Sequence, residues 1–508
     1  MRNPLIRGFL AVGSWTFLSR VTGFARDILM AAWLGSGPVA QAFLVALSLP
    51  NMFRRFFAEG AFNTAFVPMF SKKLADPEDA RRFAQDAYSG LASVVLVFSA
   101  LGMIAMPLLV MAMAAGFRGD ERFDLAVQYG RITFPYILLI SLASMVGGVL
   151  NATGRFTAAA AAPVLLNILF VVAMFLGRQM GWDLGLTLAW ATPITGIAQL
   201  GLVWWDASRN GWRFRPTRPR LSPDMRRLLR VALPAIFAGG VVQINLLVGR
   251  QVGSFYDGAI AWLSFSDRLY QLPLGVVGAA VAVVVLPELA RKLAAGDDAG
   301  GQASFSRATQ FGLFLTLPAA FAICVIAVPM VSTLFERGAF TAYDTRQTAN
   351  ALIVYAVGLP AFVLQKILQP LYFAREDTRT PFRYAVHSMV VNAVVAFGLA
   401  YFIGFLAAAI GTTVAAWVMV AQLWRGTRAM GQAARWDAML IRSAPRILLS
   451  SALMAVALWF AMGWTEGMGR IPQLAILVFG GAAVYFTLSF ATGALPLSQL
   501  RANIRRQR

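Results

Sequence analysis

The sequence predicts an all-α, polytopic membrane protein. Of its 508 residues, 58% are hydrophobic and 13% charged, against about 45–50% and about 25% in soluble domains. The apolar residues fall in blocks of roughly 18–25, the length a helix needs to cross about 30 Å of hydrocarbon. The cations gather between these blocks: 44 Lys and Arg stand against 23 Asp and Glu, a net charge of +21.

Fourteen spans are predicted, with approximate limits 8–34, 41–70, 86–114, 125–150, 158–177, 185–205, 230–253, 259–290, 308–334, 348–373, 383–402, 405–424, 442–463 and 471–493. Arg2 and Arg7 before the first apolar run imitate a signal peptide. Arg20, Arg26 and Asp27 interrupt that run and no small-residue cleavage site follows, so the first span is read as a retained helix. In the second, Pro50-Asn51 is expected to interrupt the helix. With the N-terminus inside, cytoplasmic segments hold 30 cations, including Lys72, Lys73, Arg81, Arg82 and the eight arginines of segment 206–230; the opposite segments hold seven. That asymmetry places both termini in the cytoplasm. The positive charge is thereby topological and speaks against a nucleic-acid partner.

Composition also excludes chemistry. Cys324 is the one cysteine and His387 the one histidine, which speaks against a disulfide and a His-ligated metal. None of Lys72, Lys73, Lys292 and Lys366 follows a glycine, so the Gly-Lys-Ser/Thr phosphate loop of an ATPase is missing. An enzyme acting on lipid phosphates would need an Asp-rich motif or a histidine pair, and neither is found. The chain is read as not an enzyme and as needing no cofactor.

An internal repeat organises the spans. Val67-Pro68-Met69-Phe70-Ser71-Lys72-Lys73-Leu74-Ala75 aligns with Leu286-Pro287-Glu288-Leu289-Ala290-Arg291-Lys292-Leu293-Ala294, an offset of 219. Pro107 matches Pro329 at 222, and Phe134-Pro135 matches Leu359-Pro360 at 225. Six spans separate the copies, so both enter the membrane with the same orientation, as in parallel-repeat transporters with a site between lobes. The expected organisation is an N-lobe over 1–229, a C-lobe over 230–430, and two extra spans with a basic tail over 431–508.

Seven cations fall inside the spans: Arg20, Arg26, Arg54, Arg55, Arg131, Arg268 and Lys366. Each costs about 2.5–3.5 kcal/mol at a helix centre unless it meets water, an acid or a ligand. The acids clearly within spans are Asp27, Glu59 and Asp267, too few to neutralise them. A water-filled cationic cavity follows. Thr16, Arg20, Gly23 and Asp27 share one helical face, with Arg26 about 120° from Arg20. Ser264, Arg268 and Gln271 share another beside Asp267. Arginine's planar fork suits phosphate oxygens, so the inferred ligand is anionic, with phosphate leading. Structural readings stand beside this one: Arg55 and Glu59 as an i, i+4 pair, Arg131 and Lys366 as snorkelling side chains, and Asp267 as a partner within its own lobe.

The run Ser19-Arg20-Val21-Thr22-Gly23-Phe24-Ala25-Arg26-Asp27 resembles the opening signature of the MurJ (MviN) lipid II flippases, in the multidrug/oligosaccharidyl-lipid/polysaccharide (MOP) exporter superfamily. The run from Leu49-Pro50-Asn51 through Arg54-Arg55 to Glu59-Gly60-Ala61-Phe62 is similar to that family's most distinctive stretch. Phe134-Pro135-Tyr136, Asp267-Arg268-Leu269, and Lys366 with Thr380-Pro381 also match. The resemblance implies a flippase of the bacterial inner membrane, carrying undecaprenyl-diphosphate-disaccharide-pentapeptide by alternating access and driven by membrane potential or an ion gradient. It implies that Arg20, Arg26, Arg268 and Arg54 bind the substrate head group, with Asp27, Asn51, Arg55, Glu59, Asp267 and Lys366 supporting or gating. Spans thirteen and fourteen would form a groove for the lipid tail, and the cell-wall synthesis machinery is a candidate partner. Departures from the family pattern are Gln41 in place of an acid, Ser48 in place of a lysine, and Asn392 without a carboxylate in span eleven, which leaves the coupling ion open. The rivals are a MOP-type exporter of another lipid-linked oligosaccharide (O-antigen or capsule unit), a cation-antiporting drug exporter, which surplus arginine disfavours, and a structural subunit of the cell-wall machinery.

Overall fold

The computed structural model describes residues 4–55, 61–280 and 286–494. Every regular element among them is helical. The chain divides into two compact units, Met1–Ala261 and Trp262–Arg508.

The first unit contains α1 (Pro4–Leu34), α2 (Pro38–Arg54), α3 (Ala61–Lys73), α4 (Pro77–Ile104), α5 (Met106–Ala114), α6 (Glu121–Thr133), α7 (Tyr136–Ala152), α8 (Thr157–Met180), α9 (Leu184–Arg209) and α10 (Pro223–Ser254). The second contains most of α11 (Ala259–Ala280), then α12 (Leu286–Ala294), α13 (Asp298–Phe335), α14 (Ala342–Phe373), α15 (Arg379–Ile403), α16 (Leu406–Thr427), α17 (Ala438–Trp464) and α18 (Arg470–Ala491). Short polar residues start the helices: Asp76, Asp120, Asp183, Ser222, Asp297 and Asp437 each accept a first-turn N–H. Thr341 and Asp344 form a reciprocal capping box. In the first unit α1 packs on α8, α2 on α6, α7 on α9, and α10 on α3 and α5; in the second α13 packs on α14 and α17, and α16 on α14 and α15.

Among the described residues, every predicted span falls on one helix or two. Ten described segments are long and apolar enough to cross a membrane: α4, the run Glu121–Ala152, α8, α9 and α13 to α18. Large apolar side chains such as Ile104, Phe479 and Trp464 lie more than 70% exposed, a surface suited to lipid rather than to water.

Prolines decide where the helices break, and correct two expectations. Spans three and four each comprise two helices, parted at Ala105 and at Phe134-Pro135. Conversely, α2 runs unbroken through Pro50 to Arg54, although Pro50-Asn51 reads as an interruption. A proline inside a helix leaves the carbonyl four residues back without its N–H, and in an apolar setting that oxygen needs another donor. Thr133 Oγ1 donates to Ala46 O behind Pro50 at 3.3 Å, and Arg131 Nε to Met103 O behind Pro107 at 3.3 Å. Tyr485 Oη does the same for Phe314 O behind Pro318 at 2.7 Å. Arg131 thus serves a carbonyl that Pro107 frees, a role its position in an apolar span does not reveal.

The element boundaries repeat. α4 and α13 begin at Pro77 and Asp298, α8 and α15 at Thr157 and Arg379, α9 and α16 at Leu184 and Leu406, offsets of 221 and 222. The break at Ala105 before Pro107 is matched by non-helical backbone at Ile326 before Pro329. Glu376 is the one non-glycine among the described residues with a positive φ, 61°; 222 residues earlier Gly154 has a φ of 79°. By this register α10 opens the second copy, yet it packs within the first unit.

Candidate functional site

The best-defined charged site lies between α1 and α8. Arg26 and Asp27 are buried at 8% and 6% exposure, and helix geometry makes adjacent side chains diverge. They meet because the long Arg26 side chain folds back: Nη2 and Nε donate to Asp27 Oδ1 at 2.7 and 3.0 Å. Its Nη1 donates across to Asn167 Oδ1 on α8 at 3.0 Å. Asn167 in turn donates through Nδ2 to Ser19 O at 2.9 Å, and Phe170 lies with its ring centroid 5.9 Å from the guanidinium carbon. Gly23 makes the approach possible, since a Cβ there would stand 3.2 Å from Asn167 Nδ2. Three of the five guanidinium N–H bonds are engaged. This is a buried ion pair with an amide lid.

The other predicted residues are less enclosed. Arg20 is exposed on α1, and its guanidinium meets no partner among the described residues. Asp27, read as sharing the Arg20 face, pairs instead with Arg26. Arg54 is half-buried in the last turn of α2, where a cation suits the helix dipole, and Arg55 after it is exposed. Asn51 turns back on its own helix, Nδ2 donating to Leu47 O at 2.8 Å. Glu59, and with it the Arg55–Glu59 pairing, lies outside the described residues.

In the second unit, Gln271 Nε2 donates to Asp267 Oδ2 one turn earlier on α11. Arg268 beside them is exposed and Asp267 half-buried. The opposite side of this turn is fixed by Tyr270, which packs on Tyr355 and Phe362 of α14 at ring-centroid distances of 4.9 and 5.5 Å. Lys366, also on α14, is exposed. Among the described residues, no group of three or more His, Cys, Asp or Glu is placed to hold a metal ion.

Two features escaped the reading of the sequence. Asn167 completes the Arg26 site; as the one carboxamide in the apolar run of α8, it carried a signal. Arg122, counted among the cations outside the spans, is 6% exposed. It bonds Asp120 Oδ2 through Nε at 2.7 Å, Asp257 Oδ1 at 2.9 Å and Gln41 Oε1 at 3.4 Å, over the Phe117 ring. Gln41 is therefore a neutral acceptor to an arginine that two carboxylates already serve.

The family described as "Lipid II flippase MurJ" matches residues 30–480. This chain belongs to the MurJ family. The "Probable lipid II flippase MurJ" of Rhizobium tropici is 40% identical, over 99% of this chain and 97% of that one. The "Lipid II flippase MurJ" of Burkholderia cenocepacia is 33% identical, over 96% and 98%. A solved MurJ structure titled "inward closed conformation" superposes with a TM-score of 0.80 at 26% identity, covering 94% of this chain and 98% of that one. An inward-facing multidrug resistance MATE transporter of the MOP superfamily follows at 0.66 and 15% identity, over 83% and 98%, a likeness of fold. Arg20, Arg26 and Asp27 precede the first residue of the family match.

Proposed function

We propose that this MurJ-family chain carries lipid II, undecaprenyl-diphosphate-disaccharide-pentapeptide, from the cytoplasmic to the periplasmic leaflet of the bacterial inner membrane by alternating access. The chain crosses fourteen times with both termini in the cytoplasm, a reading supported by the match between the fourteen predicted spans and the helices and by the side on which the cations gather. Its lobes are 1–229 and 230–430, with 431–508 supplying the tail groove and basic tail.

The observation that carries the reading is the Arg26–Asp27–Asn167 arrangement. An arginine embedded in an apolar helix persists when something offsets its cost. Asp27 does so in the empty carrier, and a diphosphate does so in the loaded one. A phosphate group draws on the same buried guanidinium charge as the Asp27 carboxylate, so the ligand competes with Asp27 for it. Arg20, Arg268 and Arg54 complete the phosphate contacts, while Asn51, Arg55, Glu59, Asp267 and Lys366 support or gate them. No covalent bond changes and no cofactor enters. An inside-negative potential favours outward movement of anionic charge by about 2.3 kcal/mol per charge per 100 mV, so membrane potential or an ion gradient suffices as the drive.

Depleting the protein in its host and adding an impermeant lipid II-cleaving enzyme tests this. Accessible lipid II should fall while the total pool rises. Unchanged access, with no second flippase present, would overturn the reading in favour of an exporter of another lipid-linked oligosaccharide.

A further inference from the structure

The segment that leaves α9 forms a second arginine-lined site, wholly within the first unit. An open cavity of about 470 Å³ is lined by Arg81 of α4 and by Ser208, Arg209, Gly211, Trp212, Arg213 and Phe214. The segment is pinned rather than loose. Phe214 stacks on Tyr88 at 5.1 Å, Trp212 meets Phe70 edge-on at 5.2 Å, and the Arg215 N–H donates to Gln85 Oε1 at 3.1 Å.

Charge and hydrogen bonding point to an anion. Arg81, Arg209 and Arg213 make no ion pair with any described residue, although acids stand nearby. Asp79 and Asp224 are both taken by Lys73, at 2.6 and 2.8 Å, and Asp206 accepts from Asn210 Nδ2 at 3.1 Å. Carbonyls at the end of α9 would repel an anion, but Ala207 O is covered by the N–H groups of Asn210 and Trp212, at 3.0 and 2.9 Å. Ser208 O receives the Gly211 N–H at 3.3 Å, in a turn that needs the Gly211 φ of 82°. Ser208, a lining residue, has a buried Oγ with no hydrogen-bond partner among the described residues. Arg209 stacks on Trp205 at 4.3 Å, and Trp204 and Trp205 are 44% and 54% exposed, the amphipathic side chains found at headgroup level.

We infer that this cavity binds the phosphate of an anionic phospholipid headgroup in the cytoplasmic leaflet. Polybasic clusters at that level attract anionic lipid, and here three arginines line one cavity.

The test uses the purified full chain in detergent with short-chain phosphatidylglycerol as the probe, binding being read by native mass spectrometry. R81Q/R209Q/R213Q should bind it at least about tenfold more weakly than wild type, as three lost headgroup-level cations require. R215Q/R218Q/R220Q removes the same charge from the same segment outside the cavity and should stay within about twofold. Pyrophosphate at the same concentration should not compete. Equal loss in both variants, or loss in neither, would overturn the site. Displacement of the lipid by pyrophosphate, abolished in R81Q/R209Q/R213Q, would overturn the lipid assignment in favour of a soluble phosphate.

Discussion

Arg26 on α1 and Asn167 on α8 are joined by one hydrogen bond of 3.0 Å across 141 residues of chain. It fixes the buried guanidinium against the helix that α1 packs on. Removing the amide in Asn167→Leu leaves a buried charged donor short of its acceptor, a cost of about 1–3 kcal/mol. Thermal unfolding in detergent should register that loss, and flipping should fall with it, because Arg26 no longer keeps its direction.

Asp27 has the larger effect on stability. Taking one partner from a buried ion pair costs about 3–5 kcal/mol, so Asp27→Asn should unfold earlier than Asn167→Leu. Its guanidinium, freed of a competing carboxylate, should also hold diphosphate more tightly. Thermal shift with and without a soluble prenyl diphosphate checks both: the variant should be less stable when empty and gain more on ligand addition than wild type.

Much of this was legible before the structure. Charged residues inside apolar runs marked Arg26 because few forces keep a guanidinium there, and length with hydropathy showed an all-helical chain with many apolar helices, ten of them long and apolar enough to cross a membrane. Pro50 reads as an interruption and yet leaves α2 intact, because Thr133 on another helix reaches the carbonyl it frees, a contact that no local pattern shows. The Asn167 contact was hidden for the same reason. Hydropathy reports what a helix faces, not which side chain on another helix meets it.

The repeat makes a prediction at Glu376. A side chain in the left-handed region costs about 1–2 kcal/mol, and Gly154 occupies the matching position in the first copy. Glu376→Gly should raise stability by about 0.5–1 kcal/mol after the entropy of glycine is deducted, and Gly154→Ala should lower it by about 1 kcal/mol. Thermal melts of the two single variants decide it.

Lys73, beyond the end of span two, bonds Asp224 and Asp79, and these bonds raise its pKa above the ordinary 10.5 against a smaller opposing effect of burial. A raised amine pKa gives stability that is complete below 10.5 and is lost as pH climbs through the higher folded value. With both carboxylates partly exposed, the contribution is about 1 kcal/mol. Lys73→Met should melt lower than wild type at pH 7, and the gap should narrow above about pH 11.

The central claim is that the buried guanidinium on α1 carries the head group. In a host depleted of the wild-type protein, an Arg26→Ala copy is expressed, its membrane insertion is verified, and lipid II reachable by an external, impermeant cleaving enzyme is measured. The account predicts access as low as in depleted cells, with total lipid II raised. Access restored to the wild-type level by the inserted Arg26→Ala copy would contradict it.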